Sequence, residues 1–182
     1  TVGVPFAASD AVAPAAVFEI IGPDGQPRLT QTRVLRRHPT GSLQWVLVDF
    51  QADVAASASV TYTLRQRTGP PLLEPNVPPA AVIPDLVLTD LAGVVYTFAP
   101  SERIVEETGP LRTVLRLSGD IVSATGERLL SATLRLHTYR GKPQVKVFVT
   151  LRHASRSLPN PVGLQWAEEP PVLFRHASLV VP

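Results

Sequence analysis

Apolar and polar positions alternate along this chain in short runs separated by Pro, Gly and Asp turns, the pattern of strands that bury one face. Val17–Ile21 (VFEII) is β-branched and apolar. Gly22-Pro-Asp-Gly25 after it reads as a turn, with Pro presetting φ and Asp-Gly supplying a positive φ. Leu29–Arg36 alternates, with Leu29, Gln31, Arg33 and Leu35 on one face. His38-Pro-Thr-Gly41 turns into Leu43–Phe50 (LQWVLVDF), where both faces are largely apolar. That strand is predicted to be buried on two sides, with Trp45 in the core and Asp49 as its polar terminus. Ser57–Arg65 alternates again. Strands at this spacing predict a small β-barrel over residues 1–68.

Residues 70–84 hold six Pro in 15 positions, so 69–84 is expected to be an extended, polyproline-like connector. Residues 85–182 then predict a β-sandwich-like antiparallel meander. Its strands are Leu86–Thr89, Val94–Phe98, Leu111–Val122, Arg128–Tyr139, Val145–His153 and Val172–Val181, the last set off by a second Pro cluster between Pro159 and Pro171. Ser101–Thr108 is the one helix candidate, a single capped turn. The fold class expected is all-β.

Period two sorts the side chains of the meander. One face takes Leu115, Leu117, Leu134, Leu136, Val145, Val147, Val149 and Leu151, a core. The other takes Arg112, Arg116, Arg135, His137, Tyr139, Lys146, Phe148 and Arg152. A cationic face with two aromatics suits an acidic sugar held by bidentate Arg–carboxylate contacts. The same charges equally serve to keep an outer sheet face soluble and unpaired. Trp166, beside Gln165 in the Pro-rich loop, is a candidate for stacking on sugar, or a seal at a core edge.

Composition narrows the classes. The 182 residues include 19 Pro, 11 Gly, no Cys and no Met, with 45% hydrophobic and 18% charged. Proline at this level argues against a helical bundle, and the hydrophobic share argues against disorder. Without Cys there is no disulfide scaffold, thiolate metal site or cysteine nucleophile. The net charge is only +2 and no basic run exists, so a nucleic-acid partner is not expected. No apolar stretch has the length of a membrane helix. The start at Thr1 suggests a processed or excised piece of a longer protein.

Catalytic patterns are absent from the sequence. The four His (His38, His137, His153 and His176) lack metal-ligand spacing, so no metal or cofactor is expected. Glu106-Glu107 and Glu168-Glu169 are adjacent on extended chain and point to opposite sides, a poor acid/base pair. No G-x-S-x-G, phosphate loop or calcium loop occurs.

Gly3-Val-Pro-Phe6, Gly25, Gln31, Arg37-His-Pro-Thr-Gly-Ser-Leu-Gln-Trp45 and Val46–Phe50 together resemble a known module. It is the N-terminal RIFT-type barrel of exo-rhamnogalacturonan lyase-like polysaccharide lyases, whose Pro-Asp-Gly-Ser turn precedes a Trp and a strand ending in Asp-Phe. Thr40 stands where Asp is usual and Gln44 where a base is usual. Gly109–Gly119 and Arg135–Leu151, with Tyr139-Arg-Gly-Lys-Pro143, look like the start of that family's central β-sandwich. The resemblance implies that catalysis belongs to an α/α-toroid domain, for which this chain has no helical repeat, and no catalytic residue carries over. Expected from all this is a non-catalytic module of a larger extracellular protein, supporting or contacting carbohydrate, with other domains and acidic polysaccharide as partners. The alternative is a structural module of a filament, surface layer or phage tail, hence surface or virion-associated. An intact enzyme on this fold is a third reading.

Overall fold

The computed structural model describes residues 1–67, 83–153 and 172–180. Among them the chain is all-β, apart from a 3₁₀ turn at Ala8–Asp10. It forms two compact units. The first takes residues 1–67 together with Glu107–Thr113 and Tyr139–Pro143, and the second takes the rest of the described chain. The connector expected at 69–84 and the Pro159–Pro171 cluster lie outside the described residues, save Ile83 and Pro84.

The first unit contains strands β1 (Val2–Pro5), β2 (Val17–Ile21), β3 (Pro27–Arg28), β4 (Thr30–Arg37), β5 (Leu43–Phe50) and β6 (Thr63–Arg67). They form two three-stranded antiparallel sheets, ordered β1-β5-β4 and β3-β2-β6. Phe18 and Ile20 from one sheet meet Leu43, Val46 and Val48 from the other in a single core, and Phe6 stacks on Phe18 at 5.5 Å. Each such side chain stabilises the fold by about 1.5–3 kcal/mol. The turns form where Pro, Asp and Gly place them. The Gly25 and Gly41 amides donate to the carbonyls of Gly22 and His38, and both glycines have positive φ.

Strand β5 departs from the two-sided burial expected of it. Val46 and Val48 face inward and are fully buried, but Trp45 is 42% exposed on the opposite face. The apolar character of that face reflects two different surroundings: Asp49 at one end is buried, whereas the indole at the other end is open to solvent.

The second unit is built on one six-stranded antiparallel sheet, curled into a half-barrel. Its strands are β7 (Asp85–Asp90), β8 (Val95–Glu107), β9 (Arg112–Ser123), β10 (Arg128–Tyr139), β11 (Val145–Arg152) and β12 (Phe174–Val180), in the order β11-β10-β9-β8-β7-β12. Alternation is strict on β10, where Leu130, Ala132, Leu134 and Leu136 are all buried. They join Leu86, Leu88, Tyr96, Leu115, Leu117 and Ile121 in one cluster.

Two expectations fail here. Residues 101–107 are not a helical turn but the second half of β8. Ile104 and Val105 are β-branched, and Glu102 and Glu106 fall on one side of the strand, in reach of Arg116 on β9. Val149 and Leu151, assigned to the core by parity, are 40% and 37% exposed. Their strand β11 is the outermost of the sheet, so parity still orders its side chains but nothing in the described residues covers that end.

Gly119 on β9 lies against the backbone of Ala99 and Pro100 on β8, and a Cβ there would run into the Ala99 carbonyl oxygen. Backbone cannot yield as a side-chain tip does. Gly119→Ala is therefore expected to destabilise the fold by about 1–3 kcal/mol, read as a lower urea midpoint at unchanged m-value.

Candidate functional site

The outward positions of β9, β10 and β11 converge on a groove of about 410 Å³. Arg116, Arg135 and Arg152 line it, with Ser101, Ser118, Ser131, Thr133 and Thr150 supplying hydroxyls. All these strand positions share the parity of the outer face, which the pairing Arg135–Phe148 and Ser131–Arg152 across β10 and β11 confirms.

The face is far less cationic than its arginines imply, because β8 brings carboxylates to it. Arg135 binds Glu106 through Nε at 2.8 Å and an η-nitrogen at 3.1 Å. Arg116 reaches Glu102 at 2.9 Å and Glu106 at 3.5 Å. The Arg135 hydrogen bond, aided by the nearby Arg135, Arg116 and His137 charges and opposed by partial burial, holds the Glu106 carboxyl below its usual range. The same contact raises Arg135. Arg128 pairs with Asp120 at 2.9 Å beside the groove. Among the described residues the Arg152 guanidinium has no ion-pair or hydrogen-bond partner, and it is the open charge of this groove.

Of the remaining expected site residues, three sit elsewhere on the same sheet or outside the groove. His137 and Phe148 are tilted against each other at 5.0 Å, and Lys146 Nζ lies 4.7 Å from the centre of the Phe148 ring. This small aromatic and cationic cluster lies on β10 and β11, where His137 is opposite Lys146. Trp166 lies outside the described residues.

Arg112 is the clear correction. It was expected on the outer cationic face, yet it is 8% exposed and belongs to the first unit. An η-nitrogen binds both Glu107 oxygens at 2.8 and 2.9 Å and lies 3.2 Å from Asp49 Oδ2. Burial penalises the guanidinium's charge, but the Glu107 hydrogen bonds, the Asp49 and Glu107 charges and a hydrogen bond with Tyr139 outweigh it and raise its pKa. Tyr139 is thus a partner of Arg112 in this unit, not an outer-face residue of the groove. Gln31 completes the cluster. Its Oε1 accepts from the Leu111 and Arg112 amides at 3.2 and 2.8 Å, and its Nε2 donates to Glu107 at 2.6 Å. The Thr1 hydroxyl donates to Asp49. The carboxylates and an Arg112 η-nitrogen are engaged with one another, with Gln31 and with Thr1, while the buried Arg112 Nε has no hydrogen-bond partner among the described residues; the cluster is a structural node.

The adjacent carboxylates Glu106 and Glu107 bind different guanidinium groups, Arg135 and Arg112, as their opposite parity on extended chain requires. Sequence reasoning missed the role of both. The usable signal was the β-branched Ile104-Val105 pair between Glu102 and Glu106, which favours strand over helix and would have placed both glutamates on the arginine face.

Comparison with protein-family models, with curated proteins and with solved structures returns no match.

Removing Arg112 leaves two carboxylates buried against each other. Arg112→Met is expected to cost about 3–5 kcal/mol, measured by chemical denaturation, whereas Arg128→Met, at an exposed pair, should cost about 0–1 kcal/mol. The Glu106 contribution has a defined pH dependence. A carboxyl whose folded pKa is depressed stabilises above its unfolded pKa, near 4.5, and that stability disappears as pH falls through the lower folded value. Glu106→Gln should accordingly be less stable than the parent at pH 7 and converge with it when the pH drops well below 4.5.

Proposed function

We propose that this chain is a non-catalytic β-module that contacts carbohydrate, as an accessory region resembling the N-terminal part of a rhamnogalacturonan exo-lyase in a larger extracellular protein. The observation that carries the reading is the groove on the outer face of the second unit. A glycan presents many hydroxyls that both donate and accept, and the groove offers a matching set of Ser and Thr hydroxyls around one open guanidinium, Arg152. Arg116 and Arg135, held by Glu102 and Glu106, act as oriented polar walls in this reading and not as free cations. An open, polar groove of this kind suits modest affinity for an extended chain.

A structural or assembly module is the second reading, and it rests on the edges of the six-stranded sheet. Both outermost strands expose apolar side chains, Val149 and Leu151 on β11 and Leu179 and Val180 on β12. Such edges template strand addition by a neighbouring subunit.

Titration of the chain with galacturonan-type oligosaccharides is expected to show saturable binding at millimolar sugar or below. Arg152→Ala should weaken it about tenfold or more. No binding by the parent chain at millimolar sugar removes the carbohydrate reading. Concentration-dependent association in sedimentation, abolished by Leu151→Lys, would favour the assembly module instead.

A further inference from the structure

The first unit carries open guanidinium groups of its own, and they flank an exposed aromatic. Trp45 and Leu47 point to the outer side of the sheet β1-β5-β4, away from buried Val46 and Val48. Directly across the ladder, Trp45 faces Arg36 and Leu47 faces Arg33, with a register shift between Val34 and Arg36. Opposed residues of an antiparallel pair share a face, so both arginines stand on the side of the indole. Arg33 and Arg36 are exposed, and among the described residues neither guanidinium has a hydrogen bond or ion pair. Asp49, on the same strand as Trp45, and Glu107 are bound to Arg112.

The indole is also held flat. Its Nε1, Cε2 and Cζ2 atoms lie over Gly3 on the neighbouring strand β1, where a Cβ would come within 2.7 to 3.4 Å of them. Glycine at this position gives the ring a backbone floor to lie on and leaves its other side to solvent. A half-exposed ring on a backbone floor, with Arg36 opposite it and Arg33 opposite the next outward residue of the strand, offers an apolar platform beside two open guanidinium groups.

We infer that Trp45, Arg33 and Arg36 form a second carbohydrate subsite, one that takes a uronic-acid residue. The apolar face of the pyranose ring lies on the indole, and the carboxylate is bound by Arg36 or Arg33 in the bidentate geometry that a guanidinium matches. Charge complementarity selects the acidic sugar: two unneutralised cations at an aromatic platform contrast with the groove of the second unit, where two of three arginines are neutralised internally. A polyphosphate chain is disfavoured, since such ligands need several cations in a row and the platform offers two. The inference extends the carbohydrate reading to a separate site, and the two stand or fall on different residues.

The test is titration of the chain with a galacturonate trisaccharide, a neutral galactose trisaccharide and a short single-stranded oligonucleotide, followed by tryptophan fluorescence and calorimetry. Expected are a change in tryptophan emission with the acidic sugar and a loss of about tenfold or more in affinity in Arg36→Ala and Arg33→Ala. Trp45→Ala should abolish the interaction, while Trp45→Tyr, which keeps the ring and the fold, should retain most of it. Gly3→Ala, by lifting the indole, should weaken it. Arg152→Ala should leave this site unchanged. Equal binding of the acidic and neutral sugars, tighter binding of the oligonucleotide, or acidic-sugar binding unaffected by Arg33→Ala and Arg36→Ala would each overturn the subsite. If binding depends on Arg152 alone, the groove stands and the subsite falls; if it depends on Arg36 and Trp45 alone, the reverse holds.

Discussion

The Arg112 guanidinium, buried between Asp49 and Glu107, is the contact on which the makeup of the first unit depends. Asp49 ends the central strand of one sheet, whereas Glu107 and Arg112 come from a segment some sixty residues farther along the chain. A carboxylate at 4% exposure is tolerable only with a cation beside it, so the distant segment is required by the strand itself. Gln31 makes the arrangement specific. Its amide uses the carbonyl for two backbone N–H groups and the NH₂ for Glu107, which fixes the segment's register as well as its position. The Arg140 backbone extends the same logic, accepting from Gln51 and donating to Leu111. A purely apolar contact there would contribute comparable stability with less directional constraint; the ionic one imposes a single geometry.

That non-local pairing also explains what could and could not be read from the chain. The strands themselves were legible: Val17–Ile21, Leu43–Phe50 and Arg128–Tyr139 have the bounds that alternation assigns them. So were the turns, because Pro, Asp and Gly act through φ at their own positions. Period two correctly put Leu134 and Leu136 inward and Arg135 and His137 outward. Arg112 shows where parity stops. It predicts the side of a strand to which a residue points, but burial depends on what other part of the chain lies on that side. Trp45 errs in the opposite sense for the same reason. An apolar face reads as a covered face, and on this one Leu43 and Asp49 are covered while Trp45 between them is not.

Charge shows the limit most clearly. Counting arginines along β9, β10 and β11 suggested a cationic surface, and the count was right. The strength of that charge was not, since two glutamates from β8 neutralise its centre. Residues 101–107 are strand and not the helical turn expected of them, and that one local difference sets the electrostatics of a whole face. Conversely, simple alternation puts Arg33 with Leu35 and Arg36 on the opposite face, whereas the register shift after Val34 brings both arginines to the side of Trp45 and Leu47, with their charge unneutralised among the described residues.

Open and closed charges thus divide the molecule's arginines by task. Arg112 is deeply placed and doubly paired, and it serves architecture. Arg116 and Arg135 are half-exposed and tied to carboxylates, so an incoming anion would have to displace Glu102 or Glu106 before gaining anything from them. Such exchange returns little net free energy, because one charge-assisted bond replaces another. Arg33, Arg36 and Arg152 carry no such competitor among the described residues, and a carboxylate binding there gains its contact without breaking one. For a ligand that must be recognised in water with two or three contacts, that difference weighs more than the number of arginines a face displays. A guanidinium group that the chain's own carboxylates leave open is therefore where an added carboxylate gains most.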